Sequence, residues 1–227
     1  MDTTTTNERF VASLINDIIK PGTDDLMDSR YFRDLRAGKL TTRRIQGFTV
    51  QHYLHNMGIL KAFALGAAQH AADSRTFMAY ATGMSEELTH PNMNRKLGKY
   101  LGLTDADFDN ATPVFGSLIH TAVCIHGMYL ANVAEMRANA LSNESMVQRY
   151  ATEFNEYLAK EPYYIPEDAR EFFITHMGAD IEHTNRAGIA IAQLADSDED
   201  KEKVTAICKH MAKLKRGKFD SIYEEYS

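Results

Sequence analysis

The sequence predicts an all-α protein folded as a single-domain bundle of about seven helices. Three observations carry this reading. Apolar residues recur at three- and four-residue intervals through most of the 227 residues, and no run alternates with the period of two that marks a half-buried strand. Proline falls mainly at the borders of the periodic stretches. The length suits one compact domain over residues 1–227, with no repeat, low-complexity tract or linker to divide it.

Phe10, Leu14 and Ile18 share a face and predict a first helix over Asn7–Ile19, ending before Pro21. A short second helix, Ser29–Leu35, closes at the RAGK turn. Thr41 or Thr42 offers an N-cap hydroxyl to a long helical stretch that ends near AAQHA, with Gly47 and Gly58 as bending points. Ser74 caps the next stretch, which stops at Gly102. Pro91 inside it predicts a kink, because proline lacks the amide donor and its ring crowds the preceding turn.

LTDADFDN reads as a short capped turn or helix. From Ala111 to Leu141 the chain is almost uncharged before Glu135, and Pro113 stands near the first turn, so a buried central helix is expected. The amphipathic SNESMVQRYATEFNEYLAK, the proline-bounded loop EPYYIP and a helix from about Pro166 to Leu194 follow. The last helix has a charged face, and its basic run KHMAKLKRGK is expected to be solvated.

Composition narrows the function classes. Apolar residues make up 44% and charged residues 25%, as in ordinary soluble globular proteins. A net charge of −6 gives a nucleic-acid partner no electrostatic support. No apolar run is long enough to span a bilayer, and MDTTTTNERF lacks the basic-then-apolar pattern of a secretion signal. Cys124 and Cys208 lie far apart in helical segments and read as free thiols. The expected location is the cytoplasm.

Chemistry concentrates in FITHMGADIEHTN. Successive helical residues turn by about 100°, so His176, Asp180 and His183 fall within roughly 60° of one another. Such a stripe is either a wet face or a set of metal ligands, since buried polar groups need partners. In SEELTHPN, Glu87 and His90 stand at i and i+3, a spacing at which bundle helices present a carboxylate and an imidazole to a shared metal. A surface ion pair is the competing reading, and Glu86, at i and i+4 to His90, is the local competitor for Glu87. Glu135 is the one acid between Ala111 and Leu141, either a ligand or a helix-end carboxylate that reaches solvent.

Together these supply three carboxylates (Glu87, Glu135, Asp180) and three imidazoles (His90, His176, His183). Six oxygen and nitrogen donors without a thiolate exceed one structural zinc and suit two divalent metals, iron or manganese before copper. His52, His55, His120 and His126 read as hydrogen-bonded packing or pocket residues, Cys124 as a small buried group or a catalytic thiol, and Tyr53, Met57 and Met128 as core or pocket wall.

With these motifs in place, the chain resembles the heme-oxygenase-like diiron oxidases and oxygenases from about Arg30 to Ala195. AGKLTTRRIQGFTVQHYLHN is similar to the family's opening segment, and EELTHPNMNRKLGKYLGLT to the Glu-x-x-His helix of its alkene-forming fatty-acid decarboxylases. ANVAE places Glu135 at the bridging carboxylate, and HMGADIEH matches His-x3-Asp-x2-His. Members that consume their own tyrosine differ, since Phe32, with Tyr31 beside it, stands at the matching position. The metal-free thiaminase-type and quinone-synthase enzymes share the fold and lack the ligand set.

The resemblance implies two iron ions, with manganese or a mixed pair as the lesser alternative. It implies O2 activation and oxidation of a small carboxylate- or amine-bearing substrate, by decarboxylation, C–C cleavage or N-oxygenation, in a biosynthetic setting. An external electron donor and a homodimer are in keeping with it, and neither nucleic acid nor membrane is expected as a partner. A metal-independent enzyme of the same fold and a non-catalytic interaction protein are the competing readings.

Overall fold

The computed structural model describes residues 5–129 and 133–227, with the backbone alone for 179–182. Among the described residues the chain is helical throughout, without a strand. Helix α1 (Thr6–Ser13) runs through a π-helical segment, Leu14–Ile19, into α2 (Lys20–Met27). Then come α3 (Arg30–Arg36), α4 (Thr42–Gln69), α5 (Ser74–Glu87), α6 (His90–Tyr100) and α7 (Asp105–Asp109). The remainder is α8 (Phe115–Tyr129), α9 (Val133–Leu158), a 3-10 turn at Glu167–Arg170, α10 (Glu171–Leu194) and α11 (Asp198–Glu225). Among the described residues no helix is long and apolar enough to cross a membrane.

Local signals set most of the boundaries. The Thr41 hydroxyl accepts from the Arg44 amide and starts α4; Ser29 starts α3 and Ser197 starts α11 in the same way. Thr104 and Asp107 form the capping box that opens α7. Both prolines depart from expectation. The chain stays helical past Pro21 because the π-helical segment precedes it, leaving Pro21 in the first turn of α2, where a missing amide hydrogen costs least. Pro91 likewise stands in the first turn of α6, so the expected kinked helix is instead two helices joined at Leu88–Thr89.

Helix α4 runs unbroken, and Gly47 serves close packing rather than bending, since a β-carbon there would overlap the Tyr226 ring. The uncharged run expected as one buried helix is helical on both sides of residues 130–132, which lie outside the described residues, and α9 continues through the amphipathic segment to Leu158. The run is incompletely buried, with Phe115 76% and Leu118 48% exposed.

Helix α9 packs along α10, α11 lies against α8 and α9, and α4 is flanked by α5, α6 and α8. An aromatic cluster fills the centre. Tyr31, Phe32, Phe48, Phe154, Phe172, Phe173 and Phe219 are fully buried, with Phe154 and Phe173 stacked at 4.5 Å and Phe48 4.8 Å from Phe154. Beside it the buried Glu153 carboxylate is held by Arg36 at 2.8 Å and Arg149 at 2.7 Å, which satisfies a charge that burial alone would penalise.

Candidate metal centre

A cavity of about 450 Å³ lies between α4, α5, α8, α9 and α10. Glu86 and Glu87 of α5, Glu144 of α9, and His176 and His183 of α10 line one side. The expected Glu87–His90 pairing is present, although the two residues belong to different helices. Glu87 ends α5, His90 opens α6, and the short turn between them brings His90 Nδ1 to 2.6 Å from Glu87 Oε2. Two asparagines hold this pair. Asn56 Nδ2 reaches Glu87 Oε2 at 3.5 Å, and Asn94 Nδ2 donates at 3.0 Å both to Asn56 Oδ1 and to the His90 carbonyl.

His176 joins His90, with ring centroids 4.4 Å apart. Its Nδ1 lies 2.6 Å from the Phe172 carbonyl oxygen. That contact requires Nδ1 to carry the hydrogen, so Nε2 keeps its lone pair, the arrangement a metal-binding imidazole needs. Burial, then the neighbouring His90, pushes the His176 imidazole down to about 4, so it is neutral at pH 7.

His183 stands between two carboxylates, with Nδ1 3.8 Å from Glu144 Oε2 and Nε2 3.8 Å from Glu86 Oε2. Glu144, by hydrogen bonding and by charge, holds this imidazole above its ordinary value. Glu86, the competitor for Glu87, therefore engages His183 rather than His90, and Arg186 also binds it at 3.0 Å. The Asp180 side chain lies outside the described residues.

Glu135 departs from its expected place. It sits in the first turn of α9, outside the cavity wall, where its charge bears on Lys203 of α11. The carboxylate that α9 brings to the cavity is Glu144. Nine residues separate the two, a rotation of about 900°, so they project from opposite faces of one helix. The signal was present in the sequence. Met136, Ala140, Asn143, Glu144 and Val147 form one helical stripe on the cavity wall, and Glu144 is its acid.

Other sequence assignments divide. His52, His55 and His120 are buried, whereas His126 is exposed. Met128 lines the cavity and Tyr53 does not, its hydroxyl accepting instead from Arg95 Nη2 at 2.8 Å. Tyr31 and Phe32 are core residues away from the cavity, and the Tyr31 hydroxyl donates to the Arg44 carbonyl at 3.1 Å. Cys124 lines the cavity, with its thiol pushed up to about 11 by burial. The last helix holds a reversal, since Lys215 and Lys218 of the supposedly solvated basic run are each 1% exposed.

The donor set suits a pair of divalent ions of the oxygen–nitrogen class. Carboxylates Glu86, Glu87 and Glu144 and imidazoles His176 and His183 reach the cavity wall from α5, α9 and α10, and His90 of α6 stands beside Glu87 and His176. Among the described residues, however, the trio whose ligand atoms lie within 4.8 Å of one another is His55, His120 and Cys124, in a different part of the cavity wall.

Comparison with solved structures defines the fold as heme-oxygenase-like. A domain of unknown function with that fold from Shewanella denitrificans OS217 aligns at a TM-score of 0.83, with 17% identity, over 95% of this chain and 92% of that one. A TenA homologue from P. horikoshii OT3 aligns at 0.78 with 16% identity over 95% and 98% of the two chains. A TenA homologue from Pseudomonas syringae pv. tomato DC3000 aligns at 0.78 with 13% identity over 95% and 93%. Within this fold, the chain belongs to the iron-containing redox enzyme family, whose model it matches over residues 46–216. No curated protein matches it.

Proposed function

We propose that the protein is a non-heme diiron oxidase or oxygenase that uses O2 to oxidise a small carboxylate- or amine-bearing substrate. The observation that carries this is the gathering of three carboxylates and two imidazoles on the cavity wall, with a third imidazole, His90, bonded to Glu87, in a chain of an iron-containing redox family. Glu87, His90 and His176 would hold one iron, Glu144 and His183 the other, with Asp180 completing the set and Glu86 in reserve. When bound, the irons supply electrons and open coordination positions for O2. An external donor would restore the electrons after each turnover.

The chain's own groups prepare the site. The Phe172 carbonyl orients His176, and Asn56 and Asn94 hold Glu87 and His90 in register. Ile59, Phe63, Met128 and Val147 give part of the remaining wall an apolar surface that excludes water from the reacting groups. Decarboxylation, C–C cleavage and N-oxygenation are the outcomes this reading covers.

A metal-independent enzyme is the second reading, because the aligned structures include TenA homologues and Cys124 lines the cavity. A thiol pushed up to about 11 is a poor nucleophile at neutral pH, which counts against it. Anaerobic titration with iron(II) decides between the two. About two equivalents should bind, and O2 uptake should rise on addition of small acids or amines and stop with a chelator. No iron uptake, or an activity that ignores chelators and is lost in Cys124→Ser, would overturn the first reading.

A further inference from the structure

Another part of the cavity wall is basic. His52 and His55 of α4 and Cys124 of α8 line it, and His120 of α8 with Lys215 and Lys218 of α11 stand behind, each 1% exposed or less. Lys218 Nζ lies 3.0 Å from His52 Nδ1, and the His55 ring lies 4.9 Å from that of His120. Lys215 Nζ donates to Asn143 Oδ1, which is itself on the cavity wall. Both ring nitrogens of His120 lack a hydrogen-bond partner among the described residues. The groups that bear electrostatically on Lys218, His55 and His120 are lysine, histidine and cysteine side chains, with no carboxylate among the described residues.

A cation suits this wall poorly. The ligand atoms of His55, His120 and Cys124 come within 4.8 Å of one another, but Lys215 and Lys218 bear on all three, against the one carboxylate Glu144 on Cys124, so a divalent ion would meet mostly like charge in a dry setting. An anion suits it well. Burial, then the neighbouring Lys215, holds Lys218 well below the usual lysine range, and an anion beside it would restore its charge. With Lys218 Nζ donating to His52 Nδ1, the other His52 nitrogen carries a hydrogen and is a donor. The Asn143 amide, its oxygen engaged by Lys215, likewise has its NH2 to offer. Two or three donors match the two oxygens of a planar carboxylate better than the oxygens of a phosphate.

We propose that His52, His55 and Asn143, backed by Lys215 and Lys218, form a subsite for the carboxylate group of the substrate. This rests on the reading that the cavity holds the substrate. Phe172 lies between the two sides, 4.8 Å from the His52 ring and 4.0 Å from the His176 ring. A carboxylate seated on these groups leaves a different carbon or nitrogen of the substrate to meet the metal side, so oxidation away from the carboxylate fits the subsite better than loss of the bound carboxylate.

The test is calorimetric titration of hexanoate and its neutral counterpart hexanamide into the chelator-treated and the iron-loaded protein, with iron stoichiometry measured alongside. The wild type should prefer hexanoate by about tenfold or more in both forms, the effect of a charge-assisted hydrogen bond in a dry site. Lys218→Met, nearly the same shape without the charge, should lose that preference while binding the same amount of iron. His52→Gln serves as a second variant, with the same expected loss, should Lys218→Met fail to fold. Equal affinity of the wild type for the two ligands, or a preference that survives both substitutions, would overturn the subsite. So would saturable zinc(II) binding lost in both His120→Gln and Cys124→Ser, which would make the basic side a metal site. Iron uptake without the hexanoate preference sinks the subsite alone, whereas the preference without iron uptake sinks the diiron reading alone.

Discussion

Lowering the pH from 6.5 to 5.5 should remove about 3 kcal/mol of folding stability from the metal-free protein through three buried histidines. Burial, and then the surrounding lysines and histidines, hold His52, His55 and His120 well below the ordinary imidazole value of 6.5. They stay neutral in the folded state over this interval, while the unfolded chain takes up protons as the pH passes 6.5. Their contribution is therefore complete above pH 6.5 and is lost as the pH falls below it. Each is worth RT ln(11/2), about 1 kcal/mol across that unit, so the three give about 3 kcal/mol. His176, pushed down to about 4, adds about 1 kcal/mol in the same direction. His183, raised by Glu144, acts in the opposite direction.

Such a loss is a large part of the roughly 5–15 kcal/mol that holds a domain together. Urea unfolding of chelator-treated protein at pH 7.5, 6.5 and 5.5 would measure it, and His120→Gln should remove about a quarter to a third of the pH dependence. Ordinary carboxylates titrate well below this interval, so histidines dominate it. A stability that changes by less than about 1 kcal/mol between pH 6.5 and 5.5 would refute the reasoning, because it would mean that water or a charge partner reaches these imidazoles in the folded state.

Three further outcomes test the site and the packing. Glu144→Gln should weaken iron binding by about a hundredfold or more at one site, since changes to groups merely supporting a metal ligand already cost ten- to a hundredfold; Glu135→Gln should leave it unchanged, as competition titration against a chelator would show. Gly116→Ala should destabilise the fold by about 1–3 kcal/mol in thermal or urea unfolding, because the added methyl would meet the Gly217 carbonyl oxygen and Ser221 Oγ where α8 crosses α11. Phe154→Ala should cost about 3–5 kcal/mol, as it empties a fully buried ring from the aromatic cluster.

The chain's local patterns determine a good deal. Helical periodicity and the absence of alternation establish the all-α class, and threonine and serine caps place the starts of α3, α4 and α11. The spacing of Glu87 and His90 anticipates their pairing, and the stripe on α10 anticipates that His176 and His183 reach one cavity. These are properties of a few consecutive residues, and a helix turns them into faces without help from the rest of the chain.

What faces what was decided by partners distant in sequence. Glu135 stood out as an isolated acid, yet α9 is covered on several faces, and its packing against α10 and α11 directs Glu144 to the cavity and Glu135 toward Lys203. The run KHMAKLKRGK looks like a wet surface, yet α11 lies against α8 and α9 and buries Lys215 and Lys218 beside His52 and Asn143. Period and capping are written into neighbouring residues, whereas burial belongs to whole helices meeting one another. The sequence therefore determined the helices and much of the polar stripe that reaches the cavity, and only the packing of those helices decided which glutamate faces the cavity and which lysines lie behind its basic wall.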